Sequence, residues 1–228
     1  MRSVVDPDLE ALRQQTLAMA SLAEEILEKA LRAVWKRDVA LARQVQGDDL
    51  EIDRLEVRID EAVLRTLATK APVADDLRTV LAIQMIATEL ERVGDLARNV
   101  AKSALRLTEH PEVSIPPELR TLADEVRRIL RHALDSFTER DPQAAARVLA
   151  DDDRVDADQD RVIRGALEQM SRRPEWSSQL LDFILIAKNL ERVADHATNI
   201  AEDVILVAEA RNVKHAEKLA AGGGEGEP

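Results

Sequence analysis

The sequence predicts an all-α protein: two tandem three-helix, up-down bundles related by an internal repeat with pseudo-twofold character. Three observations carry this. Aromatic residues make up only 2% of the 228 residues, with no Tyr, whereas strands of sandwiches and barrels draw on aromatic and β-branched side chains. Pro7, Pro72, Pro111, Pro116, Pro117, Pro142, Pro174 and Pro228 fall between apolar-periodic stretches, as expected of a residue that breaks helix interiors. The chain also matches itself. Leu90 to Lys102 aligns with Leu190 to Glu202, with eight of thirteen positions identical. At an offset of 103, Arg37-Asp38 matches Arg140-Asp141, Asp49 matches Asp152 and Asp53 matches Asp156. The connection before the third helix is therefore three residues shorter in the second copy.

Six long helices follow in order, near 8–35, 38–69, 73–109, 117–139, 142–171 and 174–211. Asp6-Pro7 and Asp141-Pro142 read as N-cap and first helical residue: the carboxylate accepts from orphan N–H groups, and proline has no N–H to orphan. In the first helix Leu9, Leu12, Met19, Leu22, Ile26, Leu27, Leu31 and Val34 keep helical spacing. A break at Lys36-Arg37-Asp38 is required, since one helix from Pro7 to Pro72 would be too long for a globular domain. The first copy spans 1–110 and the second 111–213, joined through Glu109 to Pro117. The tail 214–228, ending Ala220-Ala221-Gly222-Gly223-Gly224-Glu225-Gly226-Glu227-Pro228, has nothing to bury and is expected to be disordered.

Charge and composition exclude several classes of function. With 44 acidic against 32 basic residues and a net charge of −12, the chain lacks the Lys/Arg surplus that nucleic-acid binding needs. A cation or a basic partner surface suits it better. Zero cysteines rule out disulfides and thiolate metal sites. The N-terminus turns acidic before an apolar signal core could form. The longest uncharged apolar stretch, Thr79 to Thr88, is about half of what a membrane-spanning helix requires. A cytoplasmic protein without direct membrane insertion is expected.

Candidate chemistry lies in four matched carboxylate pairs. The third helix of each copy carries Glu-x-x-x-Asp (Glu91/Asp95 and Glu191/Asp195), and the second carries Asp-x-x-x-Asp (Asp49/Asp53 and Asp152/Asp156). Residues four apart lie about 40° apart around a helix, so each pair projects from one face. Like charges at this spacing cost a few tenths of a kcal/mol, and a bound cation would reverse that sign. Oxygen-only ligands suit Mg²⁺, Mn²⁺, Ca²⁺ or iron, with zinc also compatible, and His196 is the one histidine placed to add a nitrogen. The plainer alternative is a solvated acidic face paired with Arg92, Arg98 and Arg192. Trp35 and Trp176 read as local packing near helix ends, and His110 and His215 as solvated. Gly94, matched by Ala194, points to close helix approach. Catalysis is not supported: no nucleophile with a positioned base, Gly-rich phosphate loop or Glu-x-x-His pair occurs.

The stretch Ala71-Pro72-Val73-Ala74-Asp75-Asp76-Leu77-Arg78, followed by Glu89-Leu90-Glu91-Arg92-Val93-Gly94-Asp95 and repeated as Asn189-Leu190-Glu191-Arg192-Val193-Ala194-Asp195-His196-Ala197-Thr198-Asn199-Ile200-Ala201-Glu202, resembles the PhoU family over nearly the whole chain to about residue 211. The resemblance implies paired three-helix bundles in a cytoplasmic homodimer, peripheral to the inner membrane through its partners. It implies negative regulation of phosphate uptake and of the phosphate-starvation response. The implied partners are the ATPase subunit of the phosphate ABC transporter and the PAS region of a sensor histidine kinase. It also implies multinuclear iron or zinc sites at Asp49, Asp53, Glu91 and Asp95, and at Asp152, Asp156, Glu191 and Asp195. Ala194 in place of the usual glycine and the Asp151 to Asp160 run make the second site the less defined. The alternative function is a metal-storage or metal-sensing helical protein. An accessory subunit of a low-affinity phosphate permease and a plain helical scaffold are further rivals.

Overall fold

Two of the helix starts follow from aspartate caps written in the sequence. The computed structural model describes residues 7–213, which form α1 (Pro7–Lys36), α2 (Val39–Lys70), α3 (Ala74–Thr108), α4 (Pro117–Glu139), α5 (Pro142–Leu149), α6 (Asp152–Arg172), a 3-10 turn (Pro174–Trp176) and α7 (Ser177–Glu209). Asp6, His215 and the tail 214–228 lie outside the described residues. The break after α1 falls at Arg37, in the left-handed region with φ 51°, and recurs after α4 at Arg140 with φ 55°. Asp38 then accepts from Leu41 N at 3.0 Å, and Asp141 from Gln143 N at 2.8 Å and Ala144 N at 3.1 Å. Each carboxylate satisfies N–H groups that the first helical turn leaves without partners.

Two expectations are corrected. The helix expected over 142–171 is two helices, α5 and α6, separated at Ala150 and Asp151. Asp is a poor interior helix former, and restarting the helix moves the Asp run to a helix N-terminus, where the backbone dipole favours negative charge. Asp151 is also held by Arg128, Nη2 to Oδ2 2.9 Å. The helix expected from 174 opens instead with the 3-10 turn, and α7 starts at Ser177.

The third helices form the spine. The most extensive contact in the molecule is α3 on α7, with α1 and α2 flanking α3 and α4, α5 and α6 flanking α7. Ile83, Ile86, Leu90, Val93, Phe183, Ile186, Leu190 and Val193 are all buried in one core continuous through both copies. Polar contacts fix the direction: Glu89 meets His196 and Asn199, whereas Arg106 meets Asp182, so α3 and α7 run antiparallel. Their crossing lies near Val93 and Val193, at the centre of the two repeated stretches. The connection between copies is tied down by Gln179 Nε2 donating to Pro111 O at 3.0 Å and Arg37 Nη2 donating to His110 O at 2.7 Å. Trp176 takes the Arg173 guanidinium over its ring at 4.8 Å and packs locally, as expected, whereas Trp35 takes Arg120 of α4 at 4.6 Å and so reaches across to the other copy.

Candidate functional site

In the first copy α2 and α3 run antiparallel, and close approach sets what their facing sides can carry. A Cβ at Gly94 would lie 2.9 Å from Ile52 Cδ1 and 3.1 Å from Asp49 Oδ1. A side chain here would force Ile52 and Asp49 to shift, so glycine eases the approach that brings Asp49 against α3, and the close approach expected at Gly94 is with α2. Asp49 is 1% exposed. Its Oδ2 accepts from Arg98 Nη1 at 2.5 Å, and the other guanidinium nitrogen of Arg98 donates to Asp95 Oδ1. Arg92 lies beside Glu91, Nε to Oε2 3.4 Å, and Asp95, Nη1 to Oδ2 3.8 Å.

Carboxylates outnumber arginines here, and their titration is displaced accordingly. Burial pushes the Asp49 carboxyl above its ordinary value, opposed by Arg98 and reinforced by Asp53 and Asp95. Burial raises Glu91 as well, with Asp95 adding and Arg92 opposing. Glu56 is raised by burial and by Asp60, with a hydrogen bond from Thr88 opposing. The structure therefore brings together Asp49, Asp53, Glu91 and Asp95, and adds two residues that sequence reasoning missed, Glu56 and Asp60. Their signal was present: Glu56-x-x-x-Asp60 has the same four-residue spacing on the same helix. Matching between copies hid it, because Gln159 and Ile163 stand at the corresponding positions.

The donor set of the first copy fits an oxygen-preferring cation. Asp49 Oδ1, Asp60 Oδ1 and Glu91 Oε2 are buried oxygens without a hydrogen-bond partner, and such atoms cost free energy until a donor or cation reaches them. Arg92 and Arg98 now supply the positive charge, and among the described residues no three acidic or histidine side chains converge on one point. An ion would require the carboxylates to turn from these guanidinium groups towards one another.

The second copy is arranged differently. Asp156 and Asp195 are exposed and Glu191 is half-buried, while the side chain of Asp152 lies outside the described residues. Thr198 stands where the first copy has Arg98. His196 is directed across the seam: Nδ1 lies 2.6 Å from Glu89 Oε2, which also accepts from Asn199 Nδ2 at 3.2 Å. The imidazole that spacing offered as an extra ligand thus joins the two copies. Asn99 stays on its own helix surface, 3.4 Å from Lys102 Nζ.

No helix among the described residues is long and apolar enough to cross a membrane. Comparison with known proteins agrees with the duplicated architecture. The PhoU domain model matches residues 16–104 and again 119–204. A phosphate-specific transport system accessory protein PhoU homolog from Pseudomonas putida is 36% identical over 209 residues, 91% of this chain and 82% of that protein. The crystal structure of PhoU from Pseudomonas aeruginosa superposes with a TM-score of 0.87 at 36% identity, covering 90% of this chain and 98% of that one. The phosphate transport system regulatory protein PhoU from Streptococcus pneumoniae gives 0.84 at 25% identity over 90% and 97%. With two domain matches along nearly the whole chain, the chain belongs to the PhoU domain family.

Proposed function

We propose that this protein is a cytoplasmic accessory regulator of phosphate transport, working by binding rather than catalysis. It restrains phosphate uptake and the phosphate-starvation response when phosphate is plentiful, through the ATPase subunit of a phosphate ABC transporter and the PAS region of a sensor histidine kinase, and it acts as a homodimer. The observation that supports this reading is the pair of PhoU domains matched along nearly the whole chain, together with relatives named as accessory proteins of the phosphate-specific transport system. The tagged protein, recovered from its own cells grown in high and low phosphate, is expected to bring down the transporter ATPase and the kinase in a phosphate-dependent manner. Recovery of neither would remove the reading.

The first-copy carboxylates are proposed to hold metal, iron or zinc first and Mg²⁺, Mn²⁺ or Ca²⁺ as alternatives, with Asp49, Asp53, Glu91 and Asp95 as ligands and Glu56 and Asp60 beside them. Asp152, Asp156, Glu191 and Asp195 form the weaker counterpart. A bound ion supplies the positive charge that two arginines only partly provide. Metal storage or sensing is the second reading, favoured by the buried oxygens at Asp49 and Glu91 that accept no hydrogen bond. It requires metal supply, rather than phosphate, to set the phenotype.

A further inference from the structure

Three large apolar side chains stand in solvent in one row on α2: Leu50 is 53%, Val57 56% and Leu64 64% exposed. Positions seven apart return to nearly the same side of a helix, drifting about 20° each time, so the row is a stripe about 21 Å long. The core does not need it, because α2 turns Val45, Ile52, Ile59 and Val63 inward. Nor does the repeat impose it: the corresponding positions of the second copy are Asp153, Asp160 and Leu167. Aligned rather than scattered exposed apolar residues mark a contact surface.

The charge beside the stripe says what covers it. Asp53, Glu56 and Asp60, all half-buried, run parallel to it between the stripe and α3, all within about 120° of the helix circumference. On the far flank Arg54 and Arg58 are both taken up by Glu51, each at 3.0 Å. A shallow hollow at mid-stripe is lined by Glu51, Asp53, Arg54, Val57, Arg58 and Glu61. The surface is thus apolar along its centre and negative along one edge.

We propose that this face of α2 docks an amphipathic helix of a partner protein, about 14 residues long, with apolar side chains at helical spacing and a row of Lys or Arg along one flank. The apolar row covers Leu50, Val57 and Leu64, as in helix-on-groove recognition, and the basic row meets the carboxylates and fixes orientation. A second copy of this chain fits less well. Pairing α2 against an antiparallel α2 brings equivalent flanks together and sets one acidic row against the other.

Fluorescence anisotropy of the full-length, metal-free protein with a labelled 18-residue peptide of Leu and Lys, leucines at i, i+3, i+4 and i+7, tests this. Saturable binding is expected, weakened about tenfold or more by Leu50→Ser/Val57→Ser/Leu64→Ser and unchanged by Leu167→Ser/Leu181→Ser, which removes exposed leucines elsewhere. A Leu/Glu peptide of the same pattern should not bind. If the triple variant loses helical content, Val57→Ser alone should still weaken binding about threefold. No binding to the wild type, equal binding to the triple variant, or equal binding of the Leu/Glu peptide overturns the proposal. So does a wild-type dimer in sedimentation that the triple variant breaks, which would make a second copy the occupant.

Discussion

The two copies of the three-helix unit keep one core and differ in their polar faces. Matched apolar positions such as Leu90 and Leu190, or Val93 and Val193, are buried in both. The facing polar rows have diverged: α2 runs unbroken past Asp49, whereas its counterpart is interrupted at Ala150 and Asp151 before α6 begins. Gly94 lets α2 press Asp49 against α3, and Ala194 takes its place in the second copy. Glu56, Asp60 and Arg98 have become Gln159, Ile163 and Thr198. The seam between copies is uneven as well. At one end Arg106 Nε donates to the buried Asp182 at 2.8 Å; at the other, Ala82 and Leu206 hold the equivalent positions. Duplication thus preserved the register that buries α3 on α7 and left the rest free to specialise, and the concentrated acidic chemistry stayed in the first copy.

The largest expected break in this comparison is at Gly94. A Cβ there already lies 2.9 Å from Ile52 Cδ1 and 3.1 Å from Asp49 Oδ1, and Gly94→Val adds two methyl groups that force both side chains to shift. Overpacking of this kind costs about 1–3 kcal/mol, which for a chain of this size lowers Tm by roughly 2–12 °C. Ala194→Gly deletes one buried methyl group and frees the backbone of a helix interior, together about 1–2 kcal/mol. Thermal unfolding followed by circular dichroism should show that asymmetry. Equal losses would mean that the two copies approach their third helices alike.

Metal binding sharpens the contrast next. Saturating Mn²⁺, Fe²⁺ or Zn²⁺, at about one hundred times its dissociation constant, should stabilise the metal-free protein by about 2.7 kcal/mol. Asp53→Asn/Glu91→Gln should abolish most of the rise in Tm, and Asp156→Asn/Asp195→Asn should leave most of it. Calorimetric titration showing no heat with any of these ions, and no rise in Tm, would remove the metal reading from both copies.

How far the sequence reaches is visible in particular residues. Arg37 and Arg140 were legible as breaks because a capping Asp follows each, and the spine was legible because Leu90, Val93 and Ala97 recur a hundred positions later. Those are local signals. The split at Ala150 was not legible, since the apolar period continues through it with Val148 and Val155, and the cost of an Asp run is only a sum of weak propensities. At the site, spacing placed Asp49, Asp53, Glu91 and Asp95 on facing sides but gave no depth. That Asp49 would be buried while Asp195 stayed exposed depends on how closely α2 approaches α3. The contact of His196 was out of reach for a similar reason: its partner, Glu89, comes from the other copy.

The uneven seam supplies a smaller test. The Asp182 side chain is 6% exposed and Arg106 is 45% exposed. Asp182→Ala therefore leaves a guanidinium that can still reach water, and the loss should fall below the 3–5 kcal/mol typical of breaking a fully buried pair, at about 1–2 kcal/mol. Ala82→Ser, at the equivalent position of the other end, should change stability by less than about 0.5 kcal/mol. A deficit at Ala82 as large as that at Asp182 would show that both ends bear equally on the packing of α3 and α7.

The smallest effect concerns the sign of charge in the first copy. Glu56 and Glu91 have carboxyls raised above their ordinary value, chiefly by burial. A raised acid is favoured as its neutral form in the folded state, so each carries a cost when ionised near pH 7. That cost disappears as pH falls below the ordinary glutamate value. Glu51, lowered by its hydrogen bond from Arg54, acts in the opposite sense and weakens the fold on acidification. Glu56→Gln/Glu91→Gln removes the first cost without touching the second. In metal-free buffer the double variant should melt about 2–4 °C above wild type at pH 7, corresponding to about 1 kcal/mol, with the gap closing towards pH 4. A gap that is absent, or that widens in acid, would mean that Arg92 already compensates these carboxylates and that no unmet negative charge awaits a cation.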